Sequence, residues 1–328
     1  MARLHEQAIG GYLELDFGPR GPELYPHARA FQSGSAAFRA LLATGRPGRV
    51  WLPWYICESM IDQANEAGIG LGRYSLTEDF RIAGPVDLRR GEWLVYVNYF
   101  GLCDEQVNAA LRDLPVDQVI IDNSLAFFST PRDCLATVYS PRKFVGVPDG
   151  GYLITKIPVQ MPTAQDDHSI TRCMPLLRRA GDSPEKGFAS WQADQSAVSR
   201  QAPLCMSKLT HLLLQSVSYN DVAARRRMNF DLLDRHLGPL NQLRLPRSDK
   251  AVPLCYPFAA TKPGLRQWLI GHRVFVPQFW PHLVADDSHL TAFERYLLND
   301  CVPLPCDQRY AADEMATVSR LVMEYING

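Results

Sequence analysis

The chain has 328 residues, enough for one large domain or two modest ones with a hydrophobic core. Apolar residues make up 46% and charged residues 21%, which excludes the disordered, collagen-like and coiled-coil classes. With 34 basic and 35 acidic side chains the formal net charge is -1, so the balance favours neither nucleic acid nor an anionic membrane as a partner.

The N-terminal residues do not follow the pattern of a secretion signal, and no apolar stretch reaches the roughly 20 residues that cross a bilayer. Eight cysteines are scattered along the chain without a CxxC pair or a Cys/His cluster at zinc spacing. We therefore expect a cytoplasmic protein with reduced thiols and no metal site.

The first two-thirds of the chain alternates helical and strand-like patterns. Helices are predicted over 33–44, 58–67 and 104–113, and strands over 49–53, 70–74, 92–99, 118–121, 137–140 and 150–155. This alternation predicts an α/β fold with a mostly parallel central sheet flanked by helices. Ligands of such sheets bind beyond the carboxyl ends of the strands. Asp122 follows one predicted strand directly, and Asn98 lies near the end of another.

The remaining third is less regular. Residues 158–203 are polar and weakly periodic, and we expect irregular excursions there with one or two short helices. Helical periodicity over 207–237 leads into a smaller C-terminal α+β domain, so we predict a large domain over 1–234 and a small one over 235–328. Within the small domain, strands are predicted over 252–259 and 273–276, and a last helix over 311–326.

Three segments carry residues suited to chemistry. Gln32–Ala37 opens a helix with small residues, where free backbone N–H groups attract anions, although a plain N-cap is the simpler interpretation. Asp122 ends a buried strand, where a carboxylate must be paired, either in a turn or with a cationic ligand atom. Lys143 lies beside Phe144 and Val145, which suggests a desolvated and therefore nucleophilic amine, although most lysines are solvated surface groups.

The order of these segments resembles the DegT/DnrJ/EryC1/StrS aminotransferase family, fold-type-I enzymes that use pyridoxal 5′-phosphate (PLP) and are known for sugar aminotransferases. The resemblance runs from about residue 30 to the C-terminus. The similar motifs, in chain order, are SGSAAFRALL, LPWYICESM, VNYFGL, IIDNSLAF, SPRKFVGVPDGGYLIT and LPCDQRYAADEM. The resemblance implies a fold-type-I PLP-dependent transferase fold with a smaller C-terminal α+β domain.

The resemblance also implies how PLP is attached. Lys143 would be the catalytic residue, binding PLP covalently and carrying a proton between substrate and cofactor. Ser140, three residues earlier, would give its hydroxyl to the phosphate. The backbone amides of Ser35 and Ala36 would bind the same phosphate, approached closely because Gly34 has no side chain.

Other matched positions would contact the ring of the cofactor. Asp122 would pair with the pyridine nitrogen and keep it protonated. An aromatic residue, Tyr55 or its neighbour Trp54, would stack on the ring, although the offset from the preceding proline also allows Cys57. Asn98 would contact the ring face or its hydroxyl.

The sequence departs from the family pattern in three places. The interval from Ser140 to Lys143 is short, and Leu125 stands where Gln or His is usual. An Asn–Arg pair that commonly reaches the phosphate from a partner subunit is not evident around 203–208. Residues 272–273 and 278–280 are expected where the small domain meets the mouth of the active site.

The sequence thus predicts a PLP-dependent aminotransferase that moves an amino group from an amino acid, by resemblance glutamate, to a keto group of a small polar acceptor such as a nucleotide-linked keto-sugar. Two alternatives stay open: a PLP enzyme of another reaction class, such as a dehydratase or eliminase, and a catalytically degenerate binding scaffold. A homodimer is implied because fold-type-I sites are built across a subunit interface. Nucleic acid and membrane are not expected as partners.

Overall fold

A central sheet of seven strands organises the protein. The structure, a computed structural model, describes residues 12–13, 15–246, 248–260 and 262–328. The strands are β1 Arg29–Phe31, β2 Arg49–Pro53, β3 Gly70–Tyr74, β4 Glu92–Val97, β5 Val119–Asn123, β6 Ala136–Tyr139 and β7 Gly151–Thr155. Their order across the sheet is β1-β7-β6-β5-β4-β2-β3.

The five strands β2 to β6 pair in parallel, and β7 and β1 add antiparallel strands at one edge. Every residue of β5 is buried, as expected of an apolar strand covered on both faces. Val97 of β4 and Val138 of β6 flank Asp122 in the register. The predicted mostly parallel α/β sheet is confirmed, and the carboxyl ends of β4, β5 and β6 meet at one edge.

Helices cover both faces of the sheet, and a second sheet follows near the C-terminus. The helices are α1 Gly34–Gly45, α2 Glu58–Glu66, α3 Asp104–Asp113, α4 Ser169–Arg172, α5 Met174–Gly181, α6 Pro184–Arg200, α7 Lys208–Gln215, α8 Tyr219–Leu237, α9 Leu265–Gly271, α10 Ala292–Asn299 and α11 Ala312–Asn327. Two antiparallel strands, β8 Tyr256–Ala259 and β9 Cys301–Leu304, form the second sheet. Within the described ranges, no helix is long and apolar enough to cross a membrane.

Two predictions from the sequence are wrong. Residues 158–203 contain three helices, of which α6 has 17 residues. Their periodicity is weak because α5 and α6 pack mainly on each other, so closely that a Cβ at Gly187 would lie 2.8 Å from the Pro175 carbonyl oxygen. Residues 273–276 form no strand, since Arg273 turns into the left-handed region (φ 61°) just after α9.

The core is continuous from the large sheet to the second sheet. Tyr55 and Tyr99 from the β2 and β4 ends share one buried cluster with Tyr256 of β8 and Leu304 of β9. The predicted boundary at 234/235 falls inside the last turns of α8, which packs against α11. The division into two domains therefore stays a prediction.

A short segment near the N-terminus, residues 18–25, lies across α7 and β7. The Gly21 amide donates to the Gln215 carbonyl (2.7 Å), and His211 Nδ1 lies 2.6 Å from Glu23 Oε1. The Tyr152 hydroxyl donates to the other oxygen of Glu23. We call residues 18–25 the N-terminal strap. The residues on which the secretion-signal prediction rests, 1–11 above all, lie outside the described ranges.

Candidate active site

The N-terminus of α1 forms an open anion-binding end beside the sheet. Ser33 caps the helix, and its Oγ accepts a hydrogen bond from the Ala36 amide (3.1 Å). The prediction that the Ala36 amide binds a phosphate is therefore wrong for this structure, because that donor is already used. The Gly34 amide lies against Gly150 and Gly151 in the bridge between Ser33 and Gly150, so Ser35 keeps the amide of this first turn that has no acceptor within the helix.

Gly34 allows the helix end to sit directly on the strand ends. A Cβ at this position would meet Ser124 Oγ at 3.3 Å and the Tyr139 carbonyl oxygen at 3.5 Å. Ser124 follows β5, and Tyr139 is the last residue of β6. The structure thus brings the α1 N-terminus next to the ends of both strands. The missing side chain of Gly34 serves this packing rather than the close approach of a phosphate that the sequence predicted.

Asp122 is held at the carboxyl end of β5. It is buried, and its Oδ1 accepts a hydrogen bond from the Ser124 amide (2.8 Å). The other oxygen, Oδ2, accepts no hydrogen bond from any described residue, so one side of the carboxylate is fixed and the other is available. A buried carboxylate with a free oxygen is suited to a cationic ligand atom.

Lys143 ends a short 3-10 turn, Pro141–Lys143, that follows β6. Ser140 caps this turn, and its hydroxyl makes no hydrogen bond within the described part of the chain. The Lys143 side chain is exposed, while Phe144 and Val145 point into a buried cluster beneath the turn. The prediction that apolar neighbours desolvate Lys143 is therefore wrong for the single chain, because those neighbours pack away from the amine.

Cys57 connects the separate pieces of the site. This half-buried residue caps α2, and its Sγ lies 3.4 Å from Ser59 Oγ. Burial raises the pKa of the Cys57 thiol, the Lys143 ammonium opposes this increase, and the Asp122 carboxylate adds to it. Asn123, next to Asp122, pairs with Tyr139 at the end of β6, and the turn that ends in Lys143 follows directly, so the two residues lie at the ends of neighbouring strands; the effect of both on Cys57 agrees with this. Cys57, the alternative inferred from the proline offset, faces this site.

Tyr55, the preferred stacking residue from the sequence, belongs to the core instead. It is 1% exposed, and its ring packs edge-on against Trp280 with centroids 4.3 Å apart and lies parallel to Tyr99 at 6.0 Å. Its hydroxyl is directed at the Leu297 carbonyl (3.5 Å). The prediction that Tyr55 stacks on a cofactor ring is therefore wrong, because both its ring and its hydroxyl are engaged on the side of the second sheet.

Asn98 also has a structural role. It is fully buried, and its Nδ2 donates to Asp104 Oδ1 (2.9 Å) and to Asn123 Oδ1 (3.1 Å). Its Oδ1 accepts from the Cys103 amide (3.0 Å). Every hydrogen-bonding atom of this side chain is used within the protein, which contradicts a direct contact of Asn98 with a cofactor. Through Asn123 it instead fixes the strand end that carries Asp122.

A buried group of charges beneath the lysine turn was not found from the sequence. Burial lowers the pKa of Arg142 to about 10, although Asp149 opposes the change, and Arg142 Nε has no hydrogen-bond partner among the described residues. Asp149 accepts hydrogen bonds from the Ser207 amide (2.8 Å) and hydroxyl (2.9 Å) at the start of α7. The only signal was a Pro-Asp-Gly sequence, which indicated a turn but not this anchoring.

No protein-family model and no curated protein matches the sequence. Solved structures do match, and aminotransferases are among them. A DegT DnrJ EryC1 StrS aminotransferase from Brucella abortus is 13% identical, with a TM-score of 0.61 over 92% of this chain and 86% of that one. The sugar aminotransferase CalS13 from Micromonospora echinospora is 15% identical, with a TM-score of 0.63 over 91% and 87%.

The PLP form of the sugar aminotransferase Spr1654 from Streptococcus pneumoniae is 13% identical, with a TM-score of 0.62 over 90% of this chain and 87% of that chain; a PMP form also matches. The fold of the chain is therefore that of a fold-type-I PLP-dependent transferase. Among solved structures of this fold, the chain is similar to the DegT/DnrJ/EryC1/StrS sugar aminotransferases over about nine-tenths of its length.

Proposed function

We propose that this protein is a PLP-dependent aminotransferase that acts on a sugar. The observation that carries the proposal is the meeting of an exposed lysine amine, a buried carboxylate with one free oxygen and a helix N-terminus at one edge of the sheet. The carboxylate ends β5, and the amine is carried by the turn that follows the neighbouring strand β6. The carboxylate and the helix end both adjoin Ser124.

The residues present fit PLP. The amide of Ser35 and the hydroxyl of Ser140 would hold the phosphate at the N-terminus of α1. Asp122 would face the ring nitrogen with its free oxygen, and Lys143 would provide the amine that attaches the aldehyde. A side chain at position 57 would lie against the ring, with sulfur in place of an aromatic face.

PLP, when bound, supplies a ring that withdraws electrons from the carbon next to the substrate nitrogen. The Asp122 carboxylate would favour a protonated ring nitrogen, since this buried group accepts a hydrogen bond at Oδ1 only, among the described residues. Lys143 Nζ would take a proton from the α-carbon of the amino donor and hold it for the next transfer. Asn98 keeps the end of the Asp122 strand rigid.

A spectrum tests the cofactor and the lysine together. The purified protein supplied with PLP should be yellow, and borohydride should bleach the colour and fix the cofactor to Lys143 in a peptide map. The variant Lys143→Ala should lose the fixation and all transamination. A protein that stays colourless with added PLP, or that is fixed at another lysine, would contradict the proposal.

We further propose glutamate as the amino donor and a nucleotide-linked keto-sugar as the acceptor. The support is that CalS13 and Spr1654 are described as sugar aminotransferases. Glutamate alone should remove the yellow colour and release 2-oxoglutarate, which a dehydratase or eliminase would not do. The acceptor is then found by screening nucleotide-linked keto-sugars for restoration of the colour.

We also propose that the protein is a homodimer and that it is located in the cytoplasm. A mass in solution of twice 36.9 kDa, measured by light scattering, would support it. In favour of a reducing compartment, all eight cysteines are free, and five of them are buried. A monomer that binds PLP fully would contradict the dimer but not the proposed aminotransferase activity.

A further inference from the structure

The peptide that follows Lys143 is held by two side chains from the C-terminal half of the chain. The Phe144 carbonyl oxygen accepts hydrogen bonds from Gln308 Nε2 (2.8 Å) and from Arg226 Nη2 (3.0 Å). Arg226 Nε also donates to Gln308 Oε1 (2.9 Å), so the two side chains and the carbonyl close a ring of hydrogen bonds. The guanidinium carbon lies 4.6 Å from the centre of the Phe144 ring, so the side chain of the same residue is held as well.

Arg226 is also bound to a third segment of the chain. It is buried on α8, and its Nη1 donates to the carbonyls of Pro253 (3.2 Å) and Leu254 (3.0 Å), which lie just before β8. One planar guanidinium therefore connects α8, the turn that carries Lys143 and the segment that leads into the second sheet. These bonds fix the guanidinium from which Gln308 is in turn oriented.

The loop that carries Gln308 is fixed from the same helix. Asn229 is fully buried on α8, and its Nδ2 donates to the carbonyls of Asp307 and Tyr310 (both 3.0 Å). Gln308 itself is only half-buried, so a substitution there disturbs the core less than one at Arg226.

Lys143 has little support of its own. Its side chain is exposed, and its backbone amide makes only a long hydrogen bond to the Ser140 carbonyl (3.4 Å). Gly146, three residues later, is exposed, and a Cβ there would have no atom within 4 Å. The ring of hydrogen bonds at Phe144 is thus the nearest attachment of the lysine, on its C-terminal side, to residues distant in the sequence.

We propose that Gln308, held in place by Arg226, is a positioning residue that keeps the Lys143 amine within reach of the PLP aldehyde. Attachment joins the amine nitrogen to the aldehyde carbon as a C=N bond and releases the aldehyde oxygen as water, so it depends on where the amine lies. Pyridoxamine 5′-phosphate (PMP) carries an amine in place of the aldehyde and cannot be attached. The role of Gln308 should therefore affect the binding of PLP and not that of PMP. This inference rests on the proposed function and adds to it a residue outside the cofactor's own contacts.

Fluorescence titrations of the full chain, freed of cofactor, with PLP and with PMP test the assignment. Gln308→Glu keeps an acceptor for the guanidinium but loses the donor to the carbonyl, and Gln308→Met loses both. Lys143→Ala shows the effect of losing attachment altogether. The matched control is Gln118→Glu, because Gln118 is also half-buried and also donates to two backbone carbonyls, just before β5 at the opposite edge of the sheet.

We expect PLP to bind both Gln308 variants about tenfold more weakly than the wild type, while PMP binds all three proteins equally. Lys143→Ala should also weaken the binding of PLP alone. Gln118→Glu should bind both compounds as the wild type does. Unchanged PMP binding also shows that a variant is folded around the cofactor site.

The outcomes separate this inference from the function on which it rests. Failure of the wild type to take up PLP, or fixation of PLP at a lysine other than Lys143, would overturn the aminotransferase proposal itself. If those steps succeed, three results would overturn only the role of Gln308. These are unchanged PLP affinity in both Gln308 variants, an equal loss of affinity for PLP and PMP, and the same selective loss of PLP affinity in Gln118→Glu.

Discussion

At the scale of single residues, the two oxygens of Asp122 are in different surroundings. Oδ1 accepts the Ser124 amide, while Oδ2 is left for a ligand. The first bond also turns the chain toward the N-terminus of α1, because a Cβ at Gly34 would touch the same Ser124. One carboxylate thus joins the strand end to the helix end. We expect transamination to depend more on the charge of this side chain than on its shape.

Replacing Asp122 with Asn keeps the shape and removes the charge. Because a hydrogen bond to a charged group is worth more than a neutral one, transamination should fall about 10- to 150-fold. Stability in urea should change little, since the bond from Ser124 is retained. Steady-state kinetics and a urea titration measure the two effects. Full activity in the Asn variant would show that Asp122 does not face the ring nitrogen.

Sequence reasoning located some of these residues and misplaced others for a physical reason. Asp122 and Gly34 could be found because strand ends and helix starts are visible as patterns. Tyr55 and Asn98 lie just as near to strand ends, but their side chains are directed into the core. That direction is set by packing against residues distant in sequence, such as Trp280 and Asp104, which no local pattern reveals.

At the scale of elements, the apolar strands and the long helices were predicted well, because alternation and burial on both faces leave clear patterns. The α4–α6 region was not predicted well, since its helices expose polar faces and pack mainly on one another. A buried ion pair, Arg172 with Asp166, fixes the start of this region near Arg142, whose Nε has no hydrogen-bond partner among the described residues. Such buried charges depend on tertiary contacts that composition does not show.

The N-terminal strap should loosen as pH rises. Burial would raise the pKa of Glu23, but hydrogen bonds from His211 and Tyr152 lower it below its ordinary 4.5. The bond to Glu23 raises the pKa of His211 above its ordinary 6.5. The pair therefore stabilises most between about 4.5 and 6.5, loses stability as pH rises through the raised pKa of His211, and loses it again below 4.5.

Urea unfolding at pH 5.5 and 8.5 tests this sign. Between these two values the wild type should lose about 0.5–1 kcal/mol more free energy of unfolding than His211→Gln, because the pair is partly exposed. Glu23→Gln should behave like the histidine variant. An equal loss of unfolding free energy in all three proteins would mean that the titration of the Glu23–His211 pair does not contribute to stability.

At the scale of the whole molecule, the turn after β4 joins the large sheet to the C-terminal third. Phe100 is left-handed (φ 57°), and its carbonyl accepts from the Leu254 amide (2.8 Å), just before β8. Gly101 is left-handed as well (φ 74°). A Cβ there would lie 2.6 Å from the Val252 carbonyl oxygen. This contact between distant segments explains why the core has no break.

Gly101→Ala should therefore be among the most damaging small substitutions. Strain at positive φ and the clash with the Val252 backbone together should cost about 2–4 kcal/mol of unfolding free energy. Gly48→Ala is the matched control, since a Cβ there has no atom within 4 Å, and it should change stability by less than about 0.5 kcal/mol. Similar midpoints in chemical denaturation for both variants would contradict the expected strain and clash at position 101.

The anchoring of Trp280 has a practical consequence for crystallography. Swinging the C-terminal third away from the sheet would pull that indole off two buried tyrosines, against which it packs edge-on, so substrate entry by a hinge at this point is disfavoured. Lattice order should then survive soaking: crystals grown with PLP and transferred into glutamate should lose their colour without cracking.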